Sequence, residues 1–310
     1  MIVKNIFILM KKYFFEKGFL LTFILSSSLL LVFYGKLLKD VNSIFIGDSR
    51  DAMQTYYTTL YHIKYDHTYF HHDGMNYPYG ENVFFTGGHI PVANVLKFIN
   101  NFFPIYNSAP AILNLIMLFS VVLGALIVYL ILKHFKLPAV YCAIAATGIA
   151  FLSPQIQRLG GTLSYQFAIP AFMFLLLKFN SSPSFKKSLL IGFLSFFMMS
   201  THLYFFAFFC FMGFFYWVYF VAAHSRRMLM RHVVVHIFVQ ILLPYILFWT
   251  INFLTDDVKD RTGYPWGFLV ALSSWKGVLF PYGKPYETIV NWFYTPSYSE
   301  WEGGHSLYRS

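Results

Sequence analysis

Two aspartates, Asp48 and Asp51, stand three apart in the segment Gly47-Asp48-Ser49-Arg50-Asp51. Carboxylates at that spacing have two chemical uses. One can accept a proton from a substrate hydroxyl, and the pair can hold a divalent cation, Mg2+ or Mn2+, against phosphate oxygens. The residues that follow say how the pair is mounted. Met53, Tyr56, Tyr57, Leu60 and Tyr61 recur at helical spacing, with Gln54, Thr58 and His62 off that face. The pattern predicts an amphipathic helix over 49–65, its tyrosine-rich face toward a membrane surface. Asp48 then caps the helix and Asp51 lies in its first turn, an arrangement close to a capping box, which normally uses Glu or Gln at the second place. Capping alone accounts for both residues, and it also gives them a rigid mount. The helix dipole lowers proton affinity at that end, which favours an ionised cation ligand over a strong base.

Other chemistry-bearing residues follow. Asn76-Tyr77-Pro78-Tyr79-Gly80 reads as a turn, with Pro fixing its own backbone angle and Gly permitting a positive one. Tyr79 on that turn is a substrate-binding candidate. His67, His71, His72 and Asp73 have ligand chemistry, but their spacing matches no metal signature, and they read as polar loop surface. Pro91 opens a second amphipathic segment with Val92, Val95, Leu96, Ile99 and Phe102 on one face. Arg158 stands beside Gly160-Gly161 at the end of an apolar run. Its planar fork matches phosphate oxygens, and a headgroup anchor is the plainer use. Lys97 and Arg261 are weaker phosphate candidates. His202 interrupts a long apolar stretch, while His232 and His236 read as headgroup contacts.

The elements that must position these residues are set by composition. Of the 310 residues, 57% are hydrophobic and only 12% charged, against roughly 25% charged in soluble domains. A span needs roughly 20 apolar residues. Apolar runs cover 19–38, 110–132, 138–152, 163–179 and 233–253, and the run 189–223 is long enough to split into two short spans at Ser200-Thr201-His202. The expected fold is an all-α membrane protein with about seven transmembrane helices over 1–253, a long first extracytoplasmic loop over 39–108 carrying surface helices, and an aromatic-rich loop over 254–310.

Charge sets the orientation. Lys133, Lys136, Lys186, Lys187, Arg226, Arg227 and Arg231 fall in alternate short loops, and every acid except Glu16 falls on the other side. The positive-inside rule then puts the N-terminus in the cytoplasm, as an uncleaved signal anchor, and both long loops outside, as in a prokaryotic plasma membrane. The net charge of +10 is thus segregated by topology rather than gathered into a patch, which argues against nucleic acid as a partner. Cys142 and Cys210 lie inside apolar runs and read as buried thiols.

Four pieces of the chain resemble the type-C (GT-C) polytopic glycosyltransferases. They are Gly-Asp-x-x-Asp at 47–51, Tyr-Pro-Tyr-Gly-x-Asn at 77–82, Arg158-Leu159-Gly160-Gly161 before a span containing Pro170, and the broken pair of spans at Ser200-Thr201-His202-Leu203-Tyr204. The resemblance implies transfer of a sugar from a polyprenyl-phosphate donor to an extracytoplasmic acceptor, which is a saccharide, a lipid or a protein. It implies that an aspartate of the first outer loop is catalytic. Asp48 matches best and Asp51 second, with Arg158, His202, Tyr79 and Lys97 as substrate contacts. The chain departs from the pattern at Gly161-Thr162, where related sequences often carry His after Gly. Family members also usually continue with more spans, so this chain reads as an N-terminal portion, with Glu300-Trp301-Glu302-Gly303-Gly304-His305 as the entry to a further span. Two other readings use the same features: a lipid-linked saccharide transporter without chemistry, and a non-catalytic scaffold. The first expects ionisable residues lining a path through the spans, and almost none are present.

Overall fold

The computed structural model describes residues 16–47, 50–156, 158–224 and 230–258. Helices dominate them: α1 (Lys17–Lys39), α2 (Arg50–Lys64), α3 (Ile90–Asn100), α4 (Ala109–His134), α5 (Ala139–Ala150), α6 (Ala168–Ser181), α7 (Phe185–Thr201), α8 (Leu203–His224), α9 (Met230–Ile237) and α10 (Leu243–Thr255). A two-residue-per-strand ribbon, β1 (His71–His72) with β2 (Glu81–Asn82), is antiparallel with His71 opposite Asn82. The chain forms two compact units. One takes in residues up to 151 and 158–257; the described part of the other is 152–156 with residue 258, where Ser153–Ile156 forms one helical turn.

A helical segment stands at each apolar run, and the break expected near His202 separates α7 from α8. Four stretches are long and apolar enough to cross a membrane: Lys17–Lys39, Ile105–His134, Leu203–Ala223 and His232–Thr255. Length separates the others from these. At about 1.5 Å per residue, α5 is about 18 Å long and α6 about 21 Å, against a hydrocarbon core of about 30 Å. The run expected as a span over 163–179 begins as a 3-10 turn at Thr162–Ser164, and its α-helix starts only at Ala168.

Packing follows the logic of a protein in hydrocarbon. On α1, Gly18, Thr22 and Ser26 are buried, while Leu31, Val32 and Phe33 are exposed. Thr22 Oγ1 donates to the Gly18 carbonyl (2.8 Å) and Ser26 Oγ to the Thr22 carbonyl (2.7 Å), so the helix satisfies its own inward hydroxyls. Small residues toward the bundle and large apolar ones outward are what close helix approach in lipid requires. A second core joins α6 to α9, with the Phe172 and Phe209 rings stacked at 4.2 Å.

Pro244 shapes the last span. Lacking an N–H, it removes a helical hydrogen bond, and the preceding turn Phe238–Leu242 widens to a π-helix closed by Leu243 N–H to the Phe238 carbonyl. The wide turn lies against Gly192 of α7, where an added Cβ would sit 2.3 Å from the Val239 carbonyl oxygen. Beside it, His236 is buried with Nδ1 2.8 Å from Ser188 Oγ, which corrects its reading as a headgroup contact. His232 is exposed.

Candidate functional site

The segment between α1 and α4 folds back on α4. At its start, Asn42 Nδ2 donates to the Asn107 carbonyl (2.8 Å), and its Oδ1 accepts from Ala111 N–H (3.2 Å). Deeper in, Asn114 of α4 is fully buried. Its Nδ2 donates to the carbonyls of Val41 and Ile44 (2.7 Å each), and its Oδ1 accepts a short hydrogen bond from the Tyr56 hydroxyl. The same hydroxyl accepts Ile46 N–H at 3.1 Å. Tyr56 is also stacked on Phe45, centroids 4.4 Å apart. The strand of chain leading into Gly47 is therefore clamped between α2 and α4.

Arg158 sits on a second anchored turn. Ser164 Oγ donates toward the Gly161 carbonyl (2.5 Å) and lies 3.2 Å from the Arg158 carbonyl, while accepting Gly160 N–H at 3.0 Å. Ser120 of α4 donates to the Ser164 carbonyl (2.8 Å) and accepts Gln166 N–H (2.7 Å). Both anchors, Asn114 and Ser120, belong to one helix.

The two turns touch. At Gly160 (φ +100°) a Cβ would lie 2.2 Å from the Ile46 carbonyl oxygen, and at Gly47 (φ +86°) one would lie 3.4 Å from the Leu159 carbonyl oxygen. Only residues without side chains permit this approach in these backbone conformations. Arg158 is exposed above the contact. His202, between α7 and α8, is within reach of its charge. Burial first, and the Arg158 guanidinium second, hold the His202 imidazole below its ordinary pKa. Its Nδ1 accepts Tyr204 N–H at 3.2 Å, so the neutral ring carries its proton on Nε2.

The structure thus brings Arg158, His202 and the turn entering Gly47 together. Asp48 lies outside the described residues, as do Arg261 and the aromatic loop beyond residue 258. Asp51 is exposed in the first turn of α2. Tyr79 projects from the 76–80 turn 85% exposed, as does Tyr77 at 88%. Lys97 is buried, its ammonium donating to the His62 carbonyl (3.0 Å) and to that of Asp66. Those bonds commit it to the fold. Among the described residues no three His, Cys, Asp or Glu side chains gather as a metal ligand set. Asp51 alone does not make one.

Sequence reasoning missed a polar core beneath α2. Its buried face is Ala52, Thr55, Tyr56, Thr59 and Ile63, joined by Thr58 and His62, so Tyr56 turns inward while Met53 and Tyr57 of the expected apolar face point out. His62 Nδ1 donates to Asp66 Oδ2 at 2.6 Å, and Nε2 lies 2.8 Å from Asn94 Oδ1. Burial alone would raise the Asp66 pKa, but hydrogen bonds from His62 and Asp73 N–H, with the nearby imidazoles, hold it below the ordinary value. The i,i+4 spacing of His62 and Asp66 was the available signal. His89 was also missed. It is buried against Tyr165 (centroids 5.4 Å), with neither ring nitrogen hydrogen-bonded among the described residues.

Residues 23–294 match a family model described as Domain of unknown function (DUF6311), and the chain belongs to that family. No curated protein and no solved structure matches the chain.

Proposed function

We propose that this DUF6311 chain is part of a membrane glycosyltransferase that moves a sugar from a polyprenyl-phosphate donor to an extracytoplasmic hydroxyl. The observation that carries the reading is the contact between the turn entering Gly47 and the Arg158 turn, with His202 within reach of the Arg158 charge. The reaction needs an acid and a cation near one another, and Asp48 follows Gly47 directly in sequence. The acceptor oxygen attacks the anomeric carbon, and a glycosidic C–O bond forms. The bond from the anomeric carbon to the phosphate oxygen breaks, and lipid phosphate leaves with the electron pair. Asp48 takes the hydroxyl proton. Arg158 meets the charge gathering on the phosphate, with a planar donor fork suited to it. His202, neutral at neutral pH, offers Nε2–H to a phosphate oxygen without adding charge. Asp51, three residues on in the sequence and in the first turn of α2, shares a cation with Asp48 or orients it. Tyr79 stands outside this set and serves the acceptor at a distance from the bond being made.

The test is release of polyprenyl phosphate from short-chain polyprenyl-phosphate hexoses and pentoses, in membranes carrying the full-length gene product. Asp48→Asn lowers release by about 100-fold or more, from the lower end of the range for losing a general base upward. Release at the parental rate removes Asp48 from the chemistry. A chelator arm reads the divalent cation expected with the pair: loss restored by Mn2+ assigns the aspartates as ligands, and undiminished release assigns Asp48 as the base. Movement of the donor across the membrane with no new glycosidic bond would replace transfer by transport.

A further inference from the structure

We infer that α4 is the gauge of the reaction centre, and that Tyr56 with Asn114 on one side and Ser120 on the other are positioning residues for the turn entering Gly47 and for the turn of Arg158. The inference rests on the transfer reading above. Its own support is geometric. Asn114 and Ser120 lie six residues apart on one helix, about 9 Å along its axis. Each is buried and each holds one turn: Asn114 binds the Val41 and Ile44 carbonyls and, through the Tyr56 hydroxyl, the Ile46 N–H. Ser120 binds the Ser164 carbonyl and Gln166 N–H, and Ser164 in turn closes the Arg158–Gly161 turn.

Both anchors are buried, Asn114 completely. Both act through backbone. A helix is stiff along its axis, so the spacing of two anchors on it is fixed, and the two turns inherit that spacing. A third observation closes the frame: the turns meet directly at Gly160 and Ile46, so slack at either anchor is passed to the other. A polar residue buried in a span carries a cost unless it is used. Asn114 uses its amide fully, on two carbonyls and a hydroxyl.

The test pairs Tyr56→Phe with Ser120→Ala. The first keeps the ring stacked on Phe45 and removes only the hydroxyl; the second removes one oxygen. Two readouts are taken. In amide hydrogen exchange, Tyr56→Phe speeds exchange in 41–47 and Ser120→Ala in 158–166, with the rest of the protein unchanged. In donor turnover, each lowers kcat on the order of 10- to 100-fold with KM within about threefold, as displacement of reacting groups does. The double variant falls less than the product of the two singles, because both disturb one distance. Ser120→Thr keeps the hydroxyl and restores turnover where Ser120→Ala does not.

The outcomes separate the two claims. Unchanged exchange in both segments overturns the clamp. Faster exchange with parental kcat, or a double variant equal to the product of the singles, overturns the positioning role while leaving transfer intact. No release from any donor by the parent protein, with exchange behaving as expected, overturns the transfer reading and the positioning role with it.

Discussion

His89 is the residue whose environment most directly sets an acid limit on the fold. Its ring is buried against Tyr165, and burial drives its pKa down to about 4 from an ordinary 6.5. The sign follows from which state binds protons. Below pH 6.5 the unfolded chain protonates this imidazole, while the folded chain does not until about pH 4. Its contribution is whole above 6.5 and is lost as pH falls toward about 4. Since neither nitrogen has a partner among the described residues, phenylalanine fills the site without breaking a hydrogen bond seen there. His89→Phe is therefore expected to be more stable than the parent at pH 7, by about 1–2 kcal/mol, the usual cost of an unsatisfied buried polar group. The gain widens at pH 5. Thermal unfolding in detergent across pH 4.5–7.5 checks this, and a variant whose stability tracks the parent at every pH refutes it. Nothing in the sequence around His89 distinguishes it from the neighbouring loop histidines, because its burial is created by a residue far along the chain. Asn114, a lone amide in an apolar run, does stand out in the sequence.

At the scale of elements, two glycines do different work. Gly160 lets two backbone turns touch at the candidate site; Gly192 lets α7 lie against the π-helical turn that Pro244 imposes. Alanine at either position puts a methyl group about 2 Å from a backbone carbonyl oxygen, and overpacking of this kind costs about 1–3 kcal/mol. The consequences for function part company. Gly192→Ala lowers the unfolding temperature, and the protein that remains folded turns over donor at the parental rate. Gly160→Ala, strained further by its positive φ, separates the turns and loses release even in the folded fraction. Turnover per folded molecule decides between these outcomes, and equal loss in both variants would deny the 158–160 turn any special place. The helices themselves were readable from apolar runs, since a backbone in lipid must satisfy its hydrogen bonds within the segment. Helix lengths were not. The late start of α6 depends on Ser164 and Ser120 closing a turn, a long-range contact that no local pattern encodes.

For the whole molecule, the question is which end of the bundle carries the site. The structure gathers the ends consistently. Glu16 pairs with Lys133 at 3.3 Å, so the start of α1 and the end of α4 share one side. Asn42 bonds to Asn107 and Ala111, so the end of α1 and the start of α4 share the other, and the Gly47 turn is on it. Lys133, Lys136, Lys186 and Lys187 cluster in sequence at the ends opposite the Gly47 turn, and Lys and Arg are retained on the cytoplasmic side. Glu16 does not disturb that bias, because Asp and Glu contribute little to it and this one is paired. Under the proposed function the turn, and with it the chemistry, is expected outside the cytoplasm, where the donor would be lipid-linked. Single cysteines in a background free of Cys142 and Cys210 test it. Cysteine at Asn42 or Tyr79 is expected to react with a membrane-impermeant maleimide in intact cells, and cysteine at Lys136 or Pro183 only after permeabilisation. The reverse pattern would put Arg158 and the Gly47 turn on the cytoplasmic side. It would remove the reason for a polyprenyl-phosphate donor while leaving the geometry of the two turns untouched.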